Sequence, residues 1–265
     1  MKRLQITLSV LASLLLSVPS LADGPTDVRQ HMNNGSFETA FAQAEQLGTA
    51  DGYALAAESL LSEIMLGQAK KNKKQAKRAR KLAETGLELD PKSQNARLQY
   101  AIAHGFVTRE TGDVSAWMKK LPQKTQAVVQ AYREDFPKDV RGDALLGAWH
   151  LAIARKAGNE NAEKWFEASI AQGQSLFQNA RTVKPDDIVI SVNYAFSLLA
   201  LKEDDFPDVE EARQILTSVI ATEPTDHLGR VLKIYADEAM TKIDDRDAVR
   251  DYAGMFLDGE KPTLN

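Results

Sequence analysis

The sequence predicts an all-α protein, and three observations support this fold class. Strong helix formers (Ala, Leu, Glu, Lys, Gln and Arg) dominate the chain, whereas runs of Val, Ile and Thr with period-two alternation are missing. Proline recurs at a similar interval behind several helical segments. Small and apolar side chains precede these prolines at offsets that lie on one helical face. The chain therefore reads as a series of packed helices.

The first 22 residues predict a cleavable signal peptide. Lys2 and Arg3 form a basic start, an apolar stretch covers about residues 8–16, and Pro19 precedes a small-residue cleavage site after Ala22. A membrane anchor is the alternative, but the apolar stretch is too short to span a bilayer comfortably. The absence of cysteine fits export to an oxidising compartment. We expect a periplasmic or secreted protein with no membrane span after cleavage.

The charge balance argues against general nucleic-acid binding. The chain has 33 Lys and Arg against 37 Asp and Glu. Loss of Lys2 and Arg3 with the leader leaves 31 against 37, a net charge of -6. A mildly acidic protein is a poor match to a phosphate backbone.

Four prolines mark the ends of predicted helices in similar ways. Pro91, Pro137, Pro185 and Pro224 each follow a helical segment, with separations of 46, 48 and 39 residues. Twelve, eight and five residues before each proline lie side chains that share one helical face, the first of them small. The four sets are Ala79, Ala83 and Gly86; Thr125, Val129 and Tyr132; Gly173, Phe177 and Ala180; and Ala212, Leu216 and Val219. We expect these faces to form the seams between paired helices, because small residues let two helices approach closely.

The helix after each break repeats a second feature. Gly52 stands in place of the proline in the first unit. The residue ten positions after Gly52 and after each of the four prolines is small in four of five copies, and the last copy fits worst. The five residues are Ser62, Ala101, Gly147, Ala195 and Ile234.

The segment Ala-Arg-Lys-Leu-Ala-Glu-Thr-Gly-Leu-Glu-Leu-Asp-Pro at 79–91 resembles the second helix and closing turn of a tetratricopeptide repeat. Leu146 and Gly147 resemble the Leu-Gly pair of its first helix, and residues 35–40 are similar to the turn entering a second helix. The likeness covers roughly residues 35–240. The family repeats every 34 residues, so these units must carry longer helices or insertions. HEAT-like repeats are the structural alternative.

The resemblance implies a right-handed superhelix of about five helix pairs with a C-terminal capping helix. We divide the chain into a signal peptide (1–22), a lead-in helix (23–34), the repeat domain (35–240), and a capping helix with a tail (241–265). Residues 245–257 carry an amphipathic pattern. That helix is expected to cap the open end of the superhelix, the alternative being that it lies in the groove.

In tetratricopeptide proteins the first helix of each unit lines a concave groove. The matching positions here form a largely apolar lining, which implies a partner protein or peptide held by shape and burial. The alternative is an apolar small molecule or lipid, as in solute-handling subunits of transport systems. The lining residues are Asn95, Leu98, Ile102, Phe106, Arg141, Ala148, Val192, Phe196 and Tyr235.

Motifs for catalysis or cofactor binding are missing from the sequence. It contains no HExxH, GxSxG, GxGxxG or phosphate-binding glycine loop. His104 and His150 occupy equivalent places in their units, which leaves a shared ligand site open, although hydrogen-bonded histidines in the helix seams are favoured. We expect no catalytic residue, no metal and no cofactor.

The sharpest charge pattern is a basic run at 70–81, with Lys73, Lys74, Lys77 and Arg78 at its centre. An acidic stretch at 203–211 is its counterpart. The two could steer a charged partner or pair between protomers. A solvated helix face is the simpler interpretation of the basic run.

Overall fold

The computed structural model describes residues 24–260, and within that range every regular element is a helix. The predicted signal peptide and the last five residues lie outside the described residues. The fourteen helices of the described part are α1 (Pro25–Asn33), α2 (Phe37–Gln46), α3 (Ala50–Met65), α4 (Asn72–Leu89), α5 (Gln94–Arg109), α6 (Asp113–Met118), α7 (Leu121–Asp135), α8 (Arg141–Ala157), α9 (Asn159–Phe166), α10 (Ile170–Val183), α11 (Ile188–Leu199), α12 (Glu210–Ala221), α13 (His227–Thr241) and α14 (Arg246–Leu257). None of them has both the length and the apolar character needed to cross a bilayer.

The prolines end helices as predicted. Helices α4, α7, α10 and α12 each stop two or three residues before Pro91, Pro137, Pro185 or Pro224, because the residue before a proline is disfavoured in helical conformation. Three of the four helices that follow these prolines, α5, α11 and α13, begin with a side-chain cap, whereas α8 does not. The Oδ1 atom of Asp187, for example, accepts a hydrogen bond from the backbone N of Ile190 at 3.0 Å.

Two features of the helix pattern were not predicted. The short helix α6 stands between α5 and α7, and the helical segment before Pro185 is divided into α9 and α10. Left-handed backbone at Lys120 (φ 52°) and Glu167 (φ 55°) makes these breaks. Lysine and glutamate rarely adopt this conformation, so a helix break at these two residues cannot be predicted from their identity.

The helices pack in pairs along the predicted seams. Consecutive helices contact each other, with α3 against α4, α5 against α7, α8 against α10 and α11 against α12. All twelve predicted seam residues are buried. One close approach joins two glycines: a Cβ on Gly147 would lie 3.0 Å from the carbonyl oxygen of Gly173 and 2.9 Å from Cδ2 of Phe177. Of the five residues that lie ten positions after a break, only Ile234 is exposed (50%). Ile234 is also the one that is not small, so it fits the pattern least well.

The first helices of the pairs, together with α13, contact one another in a closed order. We call α1, α3, α5, α8, α11 and α13 the inner helices, and the closed arrangement of their contacts the ring. Each contacts the next, and α13 contacts α1. At this closure Arg230 donates a hydrogen bond to the carbonyl oxygen of Asn33 at 2.8 Å, and the rings of Phe37 and His227 meet edge to face at 5.8 Å.

Helix α14 closes one end of the ring. Its C-terminal end contacts the C-terminal ends of two inner helices: Arg155 of α8 pairs with Asp258 at 2.5 Å, and Arg109 of α5 donates to the carbonyl oxygen of Leu257 at 3.4 Å. Helix α14 also packs on α11 and α13. It therefore lies across the ring at the C-terminal ends of the inner helices and joins several pairs at once.

Candidate functional site

The predicted groove residues fall into two groups. Leu98, Val192, Phe196 and Tyr235 are buried, whereas the other five are only partly buried. Those five are Asn95, Ile102, Phe106, Arg141 and Ala148. The second group therefore keeps some surface exposed to solvent, although Arg109 lies over the ring of Phe106 at 4.4 Å.

Helix α14 accounts for much of the burial in the first group. Phe256 packs edge to face on Phe196 at 5.0 Å and on Tyr235 at 6.1 Å. The hydroxyl of Tyr235 donates to the carbonyl oxygen of Leu66 at the end of α3, at 3.1 Å. The half of the groove next to α14 is thus filled by the chain's own side chains.

The interior of the ring away from α14 contains a charged group that the sequence analysis missed. Glu58 of α3 lies 3.6 Å from Arg29 of α1, and their side chains remain 32% and 49% exposed. Burial raises the pKa of Glu58, and the positive charges of Arg29 and Arg141 oppose that rise. Glu58 is on α3 and Arg141 is on α8, and α5 lies between these two helices in the ring. The two charges therefore interact across the interior of the ring.

We call this space the recess. Its wall includes Arg29, Glu58 and Arg141, together with Ala148, which lies seven residues after Arg141 on the same face of α8. From α5 it includes Asn95 and Ile102, which share a face of that helix for the same reason; they are partly buried. Asn95 donates to the Oδ1 atom of Asp51 on α3 at 3.3 Å. The recess therefore combines paired charges with apolar wall.

Arg141 is held in place by a cluster at the start of α8. Its Nη2 atom lies 2.5 Å from Oδ2 of Asp139, which also accepts hydrogen bonds from the Tyr132 hydroxyl at 2.5 Å and from Gln94 at 2.8 Å. Burial acts to raise the pKa of Asp139, but the bonds from Arg141 and Tyr132 hold it well below its usual range. An arginine in the first turn of a helix is disfavoured by the helix dipole, and the Asp139 carboxylate offsets that cost. The result is a fixed, permanently charged guanidinium at the recess wall.

The position of Glu58 could have been noticed in the sequence. It is the charged residue in the otherwise small and apolar segment 54–61 of α3, most of which is buried. A charge at such a place needs a partner or contact with water. The partner, Arg29, lies in the lead-in helix, which the repeat pattern did not connect to the groove.

The two histidines lie in the helix seams and share no ligand site. His104 Nδ1 lies 3.3 Å from Oγ1 of Thr125 on α7, and His150 Nδ1 accepts a hydrogen bond from the backbone N of Ser169 at 3.3 Å. Burial lowers the pKa of His104, and burial with the nearby charge of Arg133 lowers the pKa of His150 to about 4. Across residues 24–260 no group of three or more His, Asp or Glu side chains could hold a metal ion.

Of the four central residues of the basic run, three are exposed to solvent and one contacts a neighbouring helix. Lys73, Lys74 and Lys77 are exposed at the start of α4 and line a shallow depression there. Arg78 instead forms an ion pair with Glu45 at 3.2 Å and lies over the ring of Phe41 at 4.1 Å. Arg78 thus fastens α4 to α2, and the three lysines remain as a charged surface.

Comparison with protein-family models and with curated proteins finds no match to this chain.

Proposed function

We propose that this protein is a non-catalytic, exported binding scaffold whose recess holds a segment of a partner protein or peptide. The single observation that carries this proposal is the wall of the recess, where partly exposed charges from three inner helices lie beside apolar side chains. An extended peptide offers both kinds of group, since its backbone and charged side chains can pair with Glu58 and Arg141 while its apolar side chains cover Ile102 and Ala148.

The repeat assignment belongs to the same proposal. The pairs α3/α4, α5/α7, α8/α10 and α11/α12 share seam offsets and a closing proline, which supports long tetratricopeptide-like units in a right-handed superhelix. Export rests on the leader at residues 1–22. Binding would come from a preorganised surface, because inner helices that are joined at α14 lose little freedom when the partner binds.

A second candidate is a carrier of an apolar small molecule. The partly buried apolar side chains Ile102 and Ala148 favour it, and so does the fact that α14 closes one end of the ring. The charged pair of Glu58 and Arg29 disfavours it, because an apolar ligand would desolvate both groups without replacing their contacts with water.

Photo-crosslinking in living cells tests the proposal. A photoreactive amino acid is placed at Ala148 in the recess, and the control carries it at Gln130, which is exposed on α7. We expect a discrete protein adduct from position 148 and none from position 130. The Glu58→Gln variant, which removes the charge without changing the shape, should weaken the adduct at 148.

Equal adducts at the two positions, or an adduct at 130 alone, would contradict binding in the recess. Native mass spectrometry of the purified protein separates the two candidates, because a retained small molecule in place of a protein adduct supports the carrier.

A further inference from the structure

Large apolar side chains are exposed on two short helices at the end of the ring that α14 closes. Val114, Trp117 and Met118 of α6 are 75%, 65% and 74% exposed, and Trp165 of α9 is 67% exposed. The three on α6 follow the spacing i, i+3 and i+4, which places them on one helical face. Single exposed apolar residues are ordinary, but a cluster of this size marks an interaction surface.

Helices α6 and α9 lie at the same end of the molecule. Helix α6 follows the C-terminus of α5, α9 follows that of α8, and both inner helices end against α14 through Arg109 and Arg155. An ion pair of 3.8 Å between Lys156, in the last turn of α8, and Asp113, the first residue of α6, connects the two regions directly. The two short helices that carry the four apolar side chains are therefore neighbours at this end of the molecule.

Exposed lysines adjoin this cluster on the side of α4. Three of them lie at the junction of α6 and α7. Three more lie at the start of α4, next to the α3–α4 connection, which is at the same end of the inner helices. All six are exposed, and none forms an ion pair with a described residue. They are Lys73, Lys74, Lys77, Lys119, Lys120 and Lys124. Helix α9 adds Trp165, two glutamates and one lysine, so the net positive charge comes from α4 and from the α6–α7 junction.

We propose that this surface, which we call the α6 face, docks on a lipid bilayer that contains anionic phospholipid. Trp and Met side chains suit the boundary between headgroups and acyl chains, and lysines beside them reach lipid phosphates while their stems stay in apolar surroundings. Charge complementarity selects anionic lipid, because each lysine near such a surface adds to the attraction. The apolar side chains project from short helices and line no groove, so they suit insertion into a fluid layer better than docking into a protein pocket.

The three tryptophans of the chain provide a direct readout. Trp117 and Trp165 are exposed, whereas Trp149 is buried and donates to the carbonyl oxygen of Pro122 at 2.9 Å. Vesicles of phosphatidylcholine with phosphatidylglycerol should shift the tryptophan emission to shorter wavelength and bind the protein in flotation. Vesicles of phosphatidylcholine alone should do so much more weakly. The Trp117→Phe, Trp165→Phe variant, which keeps only Trp149, should show no shift.

Two further variants test the chemistry of the α6 face. Replacing Trp117 and Met118 by serine should lower the partition coefficient by on the order of tenfold. The reversal Lys73→Glu, Lys74→Glu, Lys119→Glu should lower it by about a hundredfold or more, because loss of the attraction alone removes about 1 kcal/mol per lysine.

The matched control for the charge reversal is Lys92→Glu, Lys138→Glu, Lys184→Glu. It changes the net charge equally, but its exposed lysines lie in the connections at the other end of the inner helices. Binding should stay within about twofold of the parent, because charges beyond a Debye length of about 10 Å are largely screened. Every variant has the same amino terminus, so any contribution of residues 1–22 is common to all of them.

Several outcomes would overturn the proposal. They are no flotation with anionic vesicles at about 0.1 M salt, equal losses in the two charge reversals, and an emission shift that persists when only Trp149 remains. Lipid-independent association of two copies that the reversal at Lys73, Lys74 and Lys119 abolishes would also overturn it, because it would assign the lysines to the acidic stretch 203–211 of a second copy.

Discussion

A pair of glycine substitutions tests the close contact between α8 and α10. Gly147 lies inside α8, where an added Cβ would meet Phe177 Cδ2 at 2.9 Å, the carbonyl oxygen of Gly173 at 3.0 Å and Leu176 Cβ at 3.3 Å. Gly105 lies inside α5, and a Cβ there would have nothing within 4 Å. Both are helical, so replacement by alanine brings the same gain of helix propensity at each site, and only the packing differs.

The expected magnitudes follow from these distances. Alanine stabilises an unstrained helix interior over glycine by roughly 0.5–1 kcal/mol. At Gly147 overpacking costs about 1–3 kcal/mol, and the cost is toward the upper part of that range because one of the three neighbours is backbone. Gly147→Ala should therefore lower the free energy of unfolding by about 1–2 kcal/mol, and Gly105→Ala should raise it by about 0.5–1 kcal/mol.

Thermal and urea unfolding followed by far-ultraviolet circular dichroism measure both variants. With about 2–4 °C per kcal/mol for a chain of this size, Gly147→Ala should lower Tm by roughly 2–8 °C while Gly105→Ala raises it. If the two variants shift Tm in the same direction by the same amount, the close approach of α8 and α10 at Gly147 and Gly173 is wrong.

Two further predictions concern α14 and a buried histidine. Phe256→Ala should lower the free energy of unfolding by about 3–5 kcal/mol and increase binding of a hydrophobic dye. The reason is that Phe256 is 4% exposed and covers Phe196 and Tyr235. A loss below about 1 kcal/mol would mean that α14 does not close the ring. Burial lowers the pKa of His150 to about 4. Below about pH 6.5 the histidine is protonated in the unfolded chain but stays neutral in the folded protein. The free energy of unfolding therefore falls as the pH drops from about 6.5 to about 4. His150→Gln should flatten this part of the stability profile in urea titrations, and an unchanged slope would contradict a neutral, buried His150.

The seams could be predicted from the sequence because their determinants are local. A proline ends a helix wherever it stands, and offsets of four and three residues define a face in any helix, so Ala79, Ala83 and Gly86 were placed correctly without knowledge of the tertiary structure. Gly147, which the sequence marked only as a small residue after a break, lies against Gly173 and Phe177 of α10. Left-handed backbone at Lys120 and Glu167 is set by tertiary packing instead, which is why α6 and the break before α10 were missed.

The closure of the ring could not be predicted, because it depends on the sum of several small angles between neighbouring pairs. Each seam determines the angle between two neighbouring helices, but the residues of one seam do not determine the sum of these angles around the ring. The contact between Asn33 and Arg230 joins residues that no repeat pattern relates. The position of α14 follows from the closure, since Arg109 and Arg155 both reach its end only when α5 and α8 curve around it. The predicted groove residues all lie on inner helices. Glu58 and Arg29, which adjoin them in the recess, were not among them because they come from the part of the chain with the weakest repeat signal.

The ring separates two surfaces of different chemistry, and the separation makes the two proposals independent. Helix α8 has 17 residues, about 25 Å at 1.5 Å per residue, and it joins Arg141 at the recess to Lys156 beside the α6 face. This length is about three Debye lengths at physiological ionic strength, so charge reversal on the α6 face leaves the electrostatics of the recess essentially unchanged. Loss of vesicle binding and loss of the recess crosslink can therefore be measured separately. A bilayer on the α6 face would leave the recess facing away from the lipid, where a soluble partner can enter it.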